Sequence, residues 1–414
     1  MKIFKFGGAS VRHAEAVRNM ASIIRSAQKQ PLLVVVSAMG KTTNALENIV
    51  SSYQRGEPYR TQLEQVFAHH KDIVLKLMQR PEPTLKTLEA LLNELEAQLL
   101  KPGDPDQVYD QVVSFGEILS TQIVCAYLAE TGTRAAWIDS RKYILTDSNF
   151  KEGRVIWEET QKRILPLQQL AMHQVLIAPG FVGATEDQLT TTLGREGSDY
   201  SAAIFAACLM AESVTIWKDV AGVMSADPKR LPNATVFHEL PFREAAEMTF
   251  YGATVIHPKT IKPLANRGIP LYVKSFDNTS LPGTLIHECK VEGLPPLIVF
   301  KENQCLVSCH VTDYTFIDEA QIGLIFNALS SQALKINLMQ NSAISFSFCV
   351  DCNEKKIARL IDTLRPHFEV YYNTGLTLIT VKNYNEAVFE KYRKLGNVVL
   401  EQSSRSTLQV LVRS

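Results

Sequence analysis

A short apolar strand, two glycines and then a helix open the chain, and this order constrains the fold more than any other feature. Residues 2–6 (KIFKF) read as a strand, Gly7 and Gly8 break it, and a helical pattern follows from about Val11 to Gln28, with Val17, Met20, Ile24 and Ala27 on one face. Residues 32–37 form a Val-rich strand of the kind buried on both faces. Strand, crossover helix and strand in that order give parallel pairing. The alternation continues to about residue 280, which predicts an α/β architecture with a largely parallel sheet. Glycines at such a junction let a ligand approach the backbone, and the helix N-terminus offers N–H groups and partial positive charge. An anion site is therefore one reading of the junction, with Lys5 as its cation; a surface lysine beside a turn is the other.

Farther along, residues 60–100 hold two helical stretches separated near Pro81 and Pro83, with leucines 85, 88, 92, 95 and 99 in a core-type stripe. A loop at 102–105 precedes a helix expected from about Gln107 to Glu130. Residues 277–296 are rich in turn residues, so a domain boundary is placed near 285–295, followed by short amphipathic strands and helices. Lys plus Arg and Asp plus Glu both number 43, and the zero net charge argues against a nucleic-acid partner. Neither an apolar run of membrane length nor a signal peptide is read in the chain, so no membrane is expected. Seven scattered cysteines fit a reducing compartment, which predicts a cytoplasmic location.

Several local patterns bear on chemistry. Gly40-Lys41-Thr42 imitates the end of a P-loop, but Val35 stands where that motif needs its first glycine, so the P-loop is rejected. Residues 180–203 (GFVGATEDQLTTTLGREGSDYSAA) form a polar loop leading into an apolar helix, with Ser198 or Asp199 as its expected cap. Arg195 in that loop can grip a carboxylate with its planar fork. Residues 214–229 (VTIWKDVAGVMSADPK) read as a strand and a polar turn, where Asp219 and Asp227 can serve a ribose, a metal or only the turn. Cys305, Cys309, Cys349 and Cys352 lie in strand-like apolar surroundings and are read as small buried residues, with no zinc expected. His69-His70 is read as part of a solvated helix face, and His257-Pro258 as a helix start.

Taken together, KFGGASV (5–11), VVVSAMGKTTNAL (34–46), SFGEILS (114–120), TTLGREGSDYSAA (191–203), WKDVAGVMSADPK (217–229) and YGATVIHPKTIKPL (251–264) resemble the aspartate kinase (aspartokinase) family. The resemblance covers about the first 285 residues, and the remainder is similar to the family's paired ACT domains. It implies an amino acid kinase fold, a largely parallel sheet sandwiched by helices, followed by α+β ferredoxin-like ACT domains. The implied layout is a catalytic domain at 1–285, a linker with one strand of the second ACT unit at 286–303, a first ACT domain at 304–372 and a shortened second one at 373–414. The implied reaction moves the γ-phosphoryl group of ATP, with Mg2+, to the β-carboxylate of L-aspartate. The product is 4-phospho-L-aspartate, the first step toward lysine, threonine and methionine. A monofunctional cytoplasmic enzyme, dimeric through its ACT domains, is expected. A carboxylate nucleophile is already ionised at neutral pH, so this chemistry needs alignment and charge neutralisation and no general base.

Carried over by motif, Lys5 stabilises the transferring group, Gly7 and Gly8 line it, and Asp199 orients the groups around Lys5. Ser37, Thr43, Glu117, Arg195 and Ser198 contact aspartate, Glu117 taking its ammonium and Arg195 a carboxylate. Asp219 belongs to the nucleotide pocket. Departures are also visible: Ala9 replaces a Thr, Glu196-Gly197 replaces a glycine pair, and Lys218, Met224, Lys229 and Thr254 replace a Thr, a Tyr, an Arg and a Lys around the nucleotide. Lys218 is expected to meet the phosphate in place of the lysine that Thr254 replaces. Where lysine-regulated relatives carry Gly-Phe, an Asp and then Ser-Glu around the effector, this chain has Ala320-Gln321, Asn337 and Ser342-Ala343; both acidic partners of an effector ammonium are gone, so weak or absent lysine inhibition is expected. Two other functions stay open at this stage: a kinase for a different carboxylate, and a catalytically silent amino-acid sensor.

Overall fold

The computed structural model describes residues 1–27, 30–253, 256–313 and 315–413. The chain divides into two compact units. Met1–Val223, Val236–Ala246 and Thr254–Val291 form the first; Met224–Thr235, Glu247–Ala253 and Glu292–Ser414 form the second. Two short segments, 224–235 and 247–253, thus belong with the C-terminal unit, although the sequence reading places them inside 1–285.

The first unit is built on an eight-stranded sheet. Its strands are β1 (Lys2–Phe6), β2 (Leu32–Val36), β3 (Ala135–Trp137), β4 (Val175–Pro179), β7 (Ser213–Lys218), β8 (Glu239–Pro241), β9 (Leu271–Ser275) and β10 (Thr284–His287). Strands β5 (Val182–Ala184) and β6 (Thr190–Thr192) make a separate hairpin. The order across the sheet is β3-β4-β2-β1-β7-β9-β10-β8. All pairs are parallel except β10 with β9. The all-apolar β2 and β4 are buried along their whole length, as a central parallel strand covered on both faces must be.

One face of this sheet packs on α1 (Ala14–Ala27), α2 (Thr42–Gln54), α3 (Arg60–Leu77), α4 (Glu82–Leu99), α5 (Pro105–Val113) and α6 (Phe115–Glu130), with Phe4, Phe6, Leu32, Val34 and Val36 in that core. Short helices α7 (Trp157–Ile164) and α8 (Leu167–Ala171) precede β4. Side chains alternate along a strand, so Lys5, between Phe4 and Phe6, points to the opposite face. There the buried, alanine-rich α9 (Gly197–Leu209) lies on β1, β2 and β7.

Three expectations need correction. The helix expected over 107–130 is two helices meeting at Ser114, and the 26-residue stretch Pro105–Glu130 is long and apolar enough to cross a membrane. With 78% of its most apolar window buried, it serves as core. His69 is exposed, but His70 is buried, its Nδ1 lying 2.7 Å from the Val66 carbonyl, and burial pushes its pKa down to about 4. The apolar neighbours Val66, Ile73, Val74 and Leu77 make that side of α3 a core face. Neither Ser198 nor Asp199 caps α9: the cap position is Glu196, in a left-handed conformation with no side-chain bond.

The second unit includes α10 from residue 247 onward (the helix spans Phe242–Phe250) and a six-stranded antiparallel sheet. Helix α11 (Pro258–Ala265) belongs to the first unit and begins at His257, whose Nδ1 accepts from the Lys259 N–H. The sheet strands are β11 (Leu297–His310), β12 (Ile336–Asn341), β13 (Ser345–Asp351), β14 (Glu369–Lys382), β15 (Val398–Ser403) and β16 (Thr407–Arg413), in the order β12-β13-β11-β14-β16-β15. Helices α12 (Glu319–Ser331) and α13 (Glu354–Leu364) pack on Val307, Phe346, Phe348 and Val350, and α14 (Glu386–Arg393) packs on Ile379, Val381, Leu408 and Val410.

The sequence pattern divides 297–301 from 304–311 and 367–372 from 375–382, yet each pair is one 14-residue strand. A bulge between Lys301 and Gln304, with Asn303 at φ 53°, interrupts the pattern without ending the strand. Both segments borrowed from the middle of the chain join here. Ile298 donates its N–H to the Ser225 carbonyl at 2.8 Å, Arg230 stacks 4.9 Å from the Phe300 ring centre, and Lys382 pairs with Glu247.

Candidate active site

The C-terminal ends of β1 and β2 and the N-terminal ends of α2, α6 and α9 surround a cavity of about 520 Å3, entirely within the first unit. Its lining includes Lys5, Gly8, Ser37, Thr43, Glu117, Arg195 and Ser198. Open parallel sheets place ligands at this end of their strands. Gly8 is required by close packing: a Cβ there would stand 2.8 Å from the Ala38 carbonyl oxygen and 2.9 Å from that of Gly40. The loops after β1 and β2 therefore touch backbone to backbone, and the Gly40 N–H donates to the Gly8 carbonyl at 3.0 Å.

Lys5 is 6% exposed, and its Nζ lies 2.5 Å from Oδ1 of Asp199, which is fully buried in the first turn of α9. Lys218, at the end of β7, approaches the other oxygen at 3.3 Å. Burial works against an ionised Asp199, but the two ammonium groups reverse that and hold its pKa below the ordinary carboxylate range. Lys5 lines the cavity and carries its ammonium to the cavity floor, where an incoming anion can meet it. Lys218 also lies 4.0 Å from Glu196, so the lysine expected to meet a phosphate is engaged with two carboxylates in this structure.

Glu117, in the first turn of α6, places a carboxyl group on another wall of the cavity. It is 3% exposed, its Oε2 has no hydrogen-bond partner, and burial raises its pKa to about 8 despite a bond from the Ala38 backbone. A buried carboxyl group with one unsatisfied oxygen, lining a cavity, is suited to an ammonium ligand. Arg195 is exposed at the rim. Acid on one wall and guanidinium on the other match a zwitterion carrying a second anionic group.

Several residues not singled out in the sequence complete the site. Tyr109, Glu47, Lys151, Glu152, Phe181 and Thr192 also line the cavity. The fully buried Asp110 accepts from the Lys151 N–H (2.8 Å), the Thr192 N–H (2.8 Å) and the Thr192 hydroxyl (2.7 Å). It thereby fixes two lining segments. Tyr109 donates its hydroxyl to Glu47 at 2.6 Å, and Lys151 lies 4.7 Å from the Tyr109 ring centre. Among the other residues singled out by sequence, Gly7 follows β1 next to Gly8, and Asp219 is exposed just beyond β7. Met224 and Lys229 fall in the second unit, and Thr254 lies outside the described residues.

The sequence profile of the amino acid kinase family matches residues 1–275. Lysine-sensitive aspartokinase 3 of Escherichia coli (strain K12) is 32% identical over 362 residues, covering 84% of this chain and 78% of the relative. The chain belongs to the aspartokinases. Within this family, the bifunctional aspartokinase/homoserine dehydrogenase 1 of Zea mays is 31% identical over 389 residues, covering 88% of this chain. The chain spans 41% of that relative's length. Among solved aspartokinases, E. coli aspartokinase III in complex with aspartate and ADP (R-state) superposes with a TM-score of 0.87 at 27% identity, covering 100% of this chain and 96% of that one.

Proposed function

We propose that the chain is an aspartate kinase that transfers the ATP γ-phosphoryl group to the β-carboxylate of L-aspartate, forming 4-phospho-L-aspartate. The observation that carries this reading is the Lys5–Asp199 pair at the floor of a glycine-lined cavity that also holds Glu117, with its one unsatisfied oxygen, and the exposed Arg195. Glu117 takes the amino acid's ammonium, Arg195 a carboxylate, and Ser37, Thr43 and Ser198 the remaining polar edges. The side-chain carboxylate attacks the γ-phosphorus as the bond to ADP breaks, and Lys5 neutralises charge on the oxygens of the transferring group. Lys218, by sharing Asp199, leaves Lys5 its positive charge for that purpose. Asp219 serves the nucleotide side. Mg2+ carried with the nucleotide would supply charge neutralisation, while Asp199 stays with its two ammonium partners.

A hydroxamate assay with Mg-ATP tests the reading. Turnover is expected with aspartate and not with glutamate or an acylated amino acid. Lys5→Met in a folded sample is expected to lower kcat by about a thousandfold, the scale of one lost charge-stabilising group. Undiminished turnover would refute the assignment.

The reading extends to location, pathway, assembly and regulation. We assign a cytoplasmic enzyme at the start of lysine, threonine and methionine synthesis, paired through its C-terminal unit. Seven free cysteines and the exposed apolar Phe316, Ile344 and Tyr371 of that unit support this. Asn337 accepts from Lys301 at 2.8 Å and donates to Gln304 at 2.7 Å and to Asp351 at 3.0 Å. A side chain so engaged, and uncharged, is a poor counter-group for a free lysine ammonium. Titration with lysine is expected to leave turnover unchanged at sub-millimolar concentration; strong inhibition there would remove this part of the reading.

A further inference from the structure

Away from the cavity, the first unit brings three metal-ligating side chains of different chemistry together at the edge of its sheet. Strands β8 and β10 run parallel, with Leu285 opposite Glu239 and His287 opposite Pro241. Glu239 and His287 are thus two register positions apart and share one face of the pleat. His287 Nε2 lies 2.5 Å from Glu239 Oε1, and Cys289 follows just past the end of β10. One ligand atom from each of the three residues lies within 4.8 Å of the other two.

We propose that Glu239, His287 and Cys289 bind a divalent transition-metal ion of the zinc class, with water in the fourth position. Around tetrahedral zinc, with bonds of about 2.0–2.3 Å, ligand atoms sit roughly 3.3–3.8 Å apart, so small side-chain rotations close this triad on one ion. A carboxylate–imidazole hydrogen bond accounts for two of the residues. It does not account for the thiol. The nitrogen, sulfur and oxygen donors suit zinc or cobalt and disfavour magnesium or calcium. The His287 and Glu239 side chains are 31% and 49% exposed, so the ion can exchange with solvent. Bound there, it would clip edge strand β8 to the exit of β10.

The test adds cobalt(II) to the full chain freed of metal. One equivalent is expected to produce a thiolate-to-cobalt charge-transfer band, which zinc then bleaches. Among the described residues neither cysteine nor histidine lines the catalytic cavity, so cobalt held there gives no such band. Cys289→Ser is expected to abolish the band, and His287→Ala to weaken cobalt binding by at least about tenfold, a loss that even an outer-shell partner can cause. No band in the wild-type chain, or a band that survives Cys289→Ser, would overturn the proposal. Should Cys289→Ser fail to fold, alkylation of the wild-type chain decides. Zinc is expected to protect Cys289, identified by peptide mass, and equal labelling with and without zinc would overturn the site.

Discussion

On the proposed function, Glu117 sets the pH behaviour of amino-acid binding. With a pKa of about 8 in the empty cavity, it is mostly protonated at neutral pH, and an ammonium ligand must draw the proton off. The KM for aspartate is therefore expected to fall as pH rises from 6 to 8 and then to level. Glu117→Gln should raise that KM by about 10- to 100-fold, the worth of a hydrogen bond to a charged group, and flatten its pH profile. The same group acts on stability with a definite sign. Its raised pKa means that the folded state holds a proton the unfolded chain has released. Its contribution is complete below about 4.5 and is lost as pH rises through about 8. Unfolding midpoints of wild type and Glu117→Gln across that range should diverge accordingly; parallel curves would show that Glu117 is ionised in the empty site.

At the level of elements, Asp110 ties α5 to the loop carrying Lys151 and to β6. Asp110→Asn keeps one oxygen for the two backbone N–H groups that converge on Oδ2, but it removes the charge they bond to and sets an NH2 against the Thr192 hydroxyl, which must give up its donor role. A loss of about 1–3 kcal/mol in stability is expected, together with a raised KM for substrate; an unchanged unfolding midpoint would contradict the role. This part of the site was not legible in the sequence. Nothing in PDQVYDQVV distinguishes a buried acid from a solvated one, because its partners come from segments about 40 and 80 residues away. Lys5, Gly8, Ser37, Thr43, Glu117, Arg195 and Ser198 were picked out because their short motifs resemble those of the aspartate kinases, and the structure brings all seven around one cavity. The cap of α9 was misread for a related reason: the Asp199 side chain turns to Lys5 and Lys218, so tertiary electrostatics overrides the local capping preference.

Across the whole molecule, alternating strands and helices were enough to give the parallel sheet of the first unit. The second unit was harder, because a bulge at Asn303 looks like a strand end in sequence. Since β11 and β14 each run through the entire antiparallel sheet, both of its halves share the same two strands. Hydrogen exchange is expected to show the amides of Leu306 and Val299 opening with one free energy; separate exchange classes for the two halves would contradict this.

The segments 224–235 and 247–253 carry a practical consequence for anyone dividing the gene. Splitting the polypeptide at residue 291 yields one fragment with two orphaned stretches and another stripped of the chain that receives the Ile298 amide and stacks on Phe300. C-terminal units exchanged between homologous chains at residue 291 would inherit mismatched stretches, and a chimaera that keeps its shape must transplant all three pieces together.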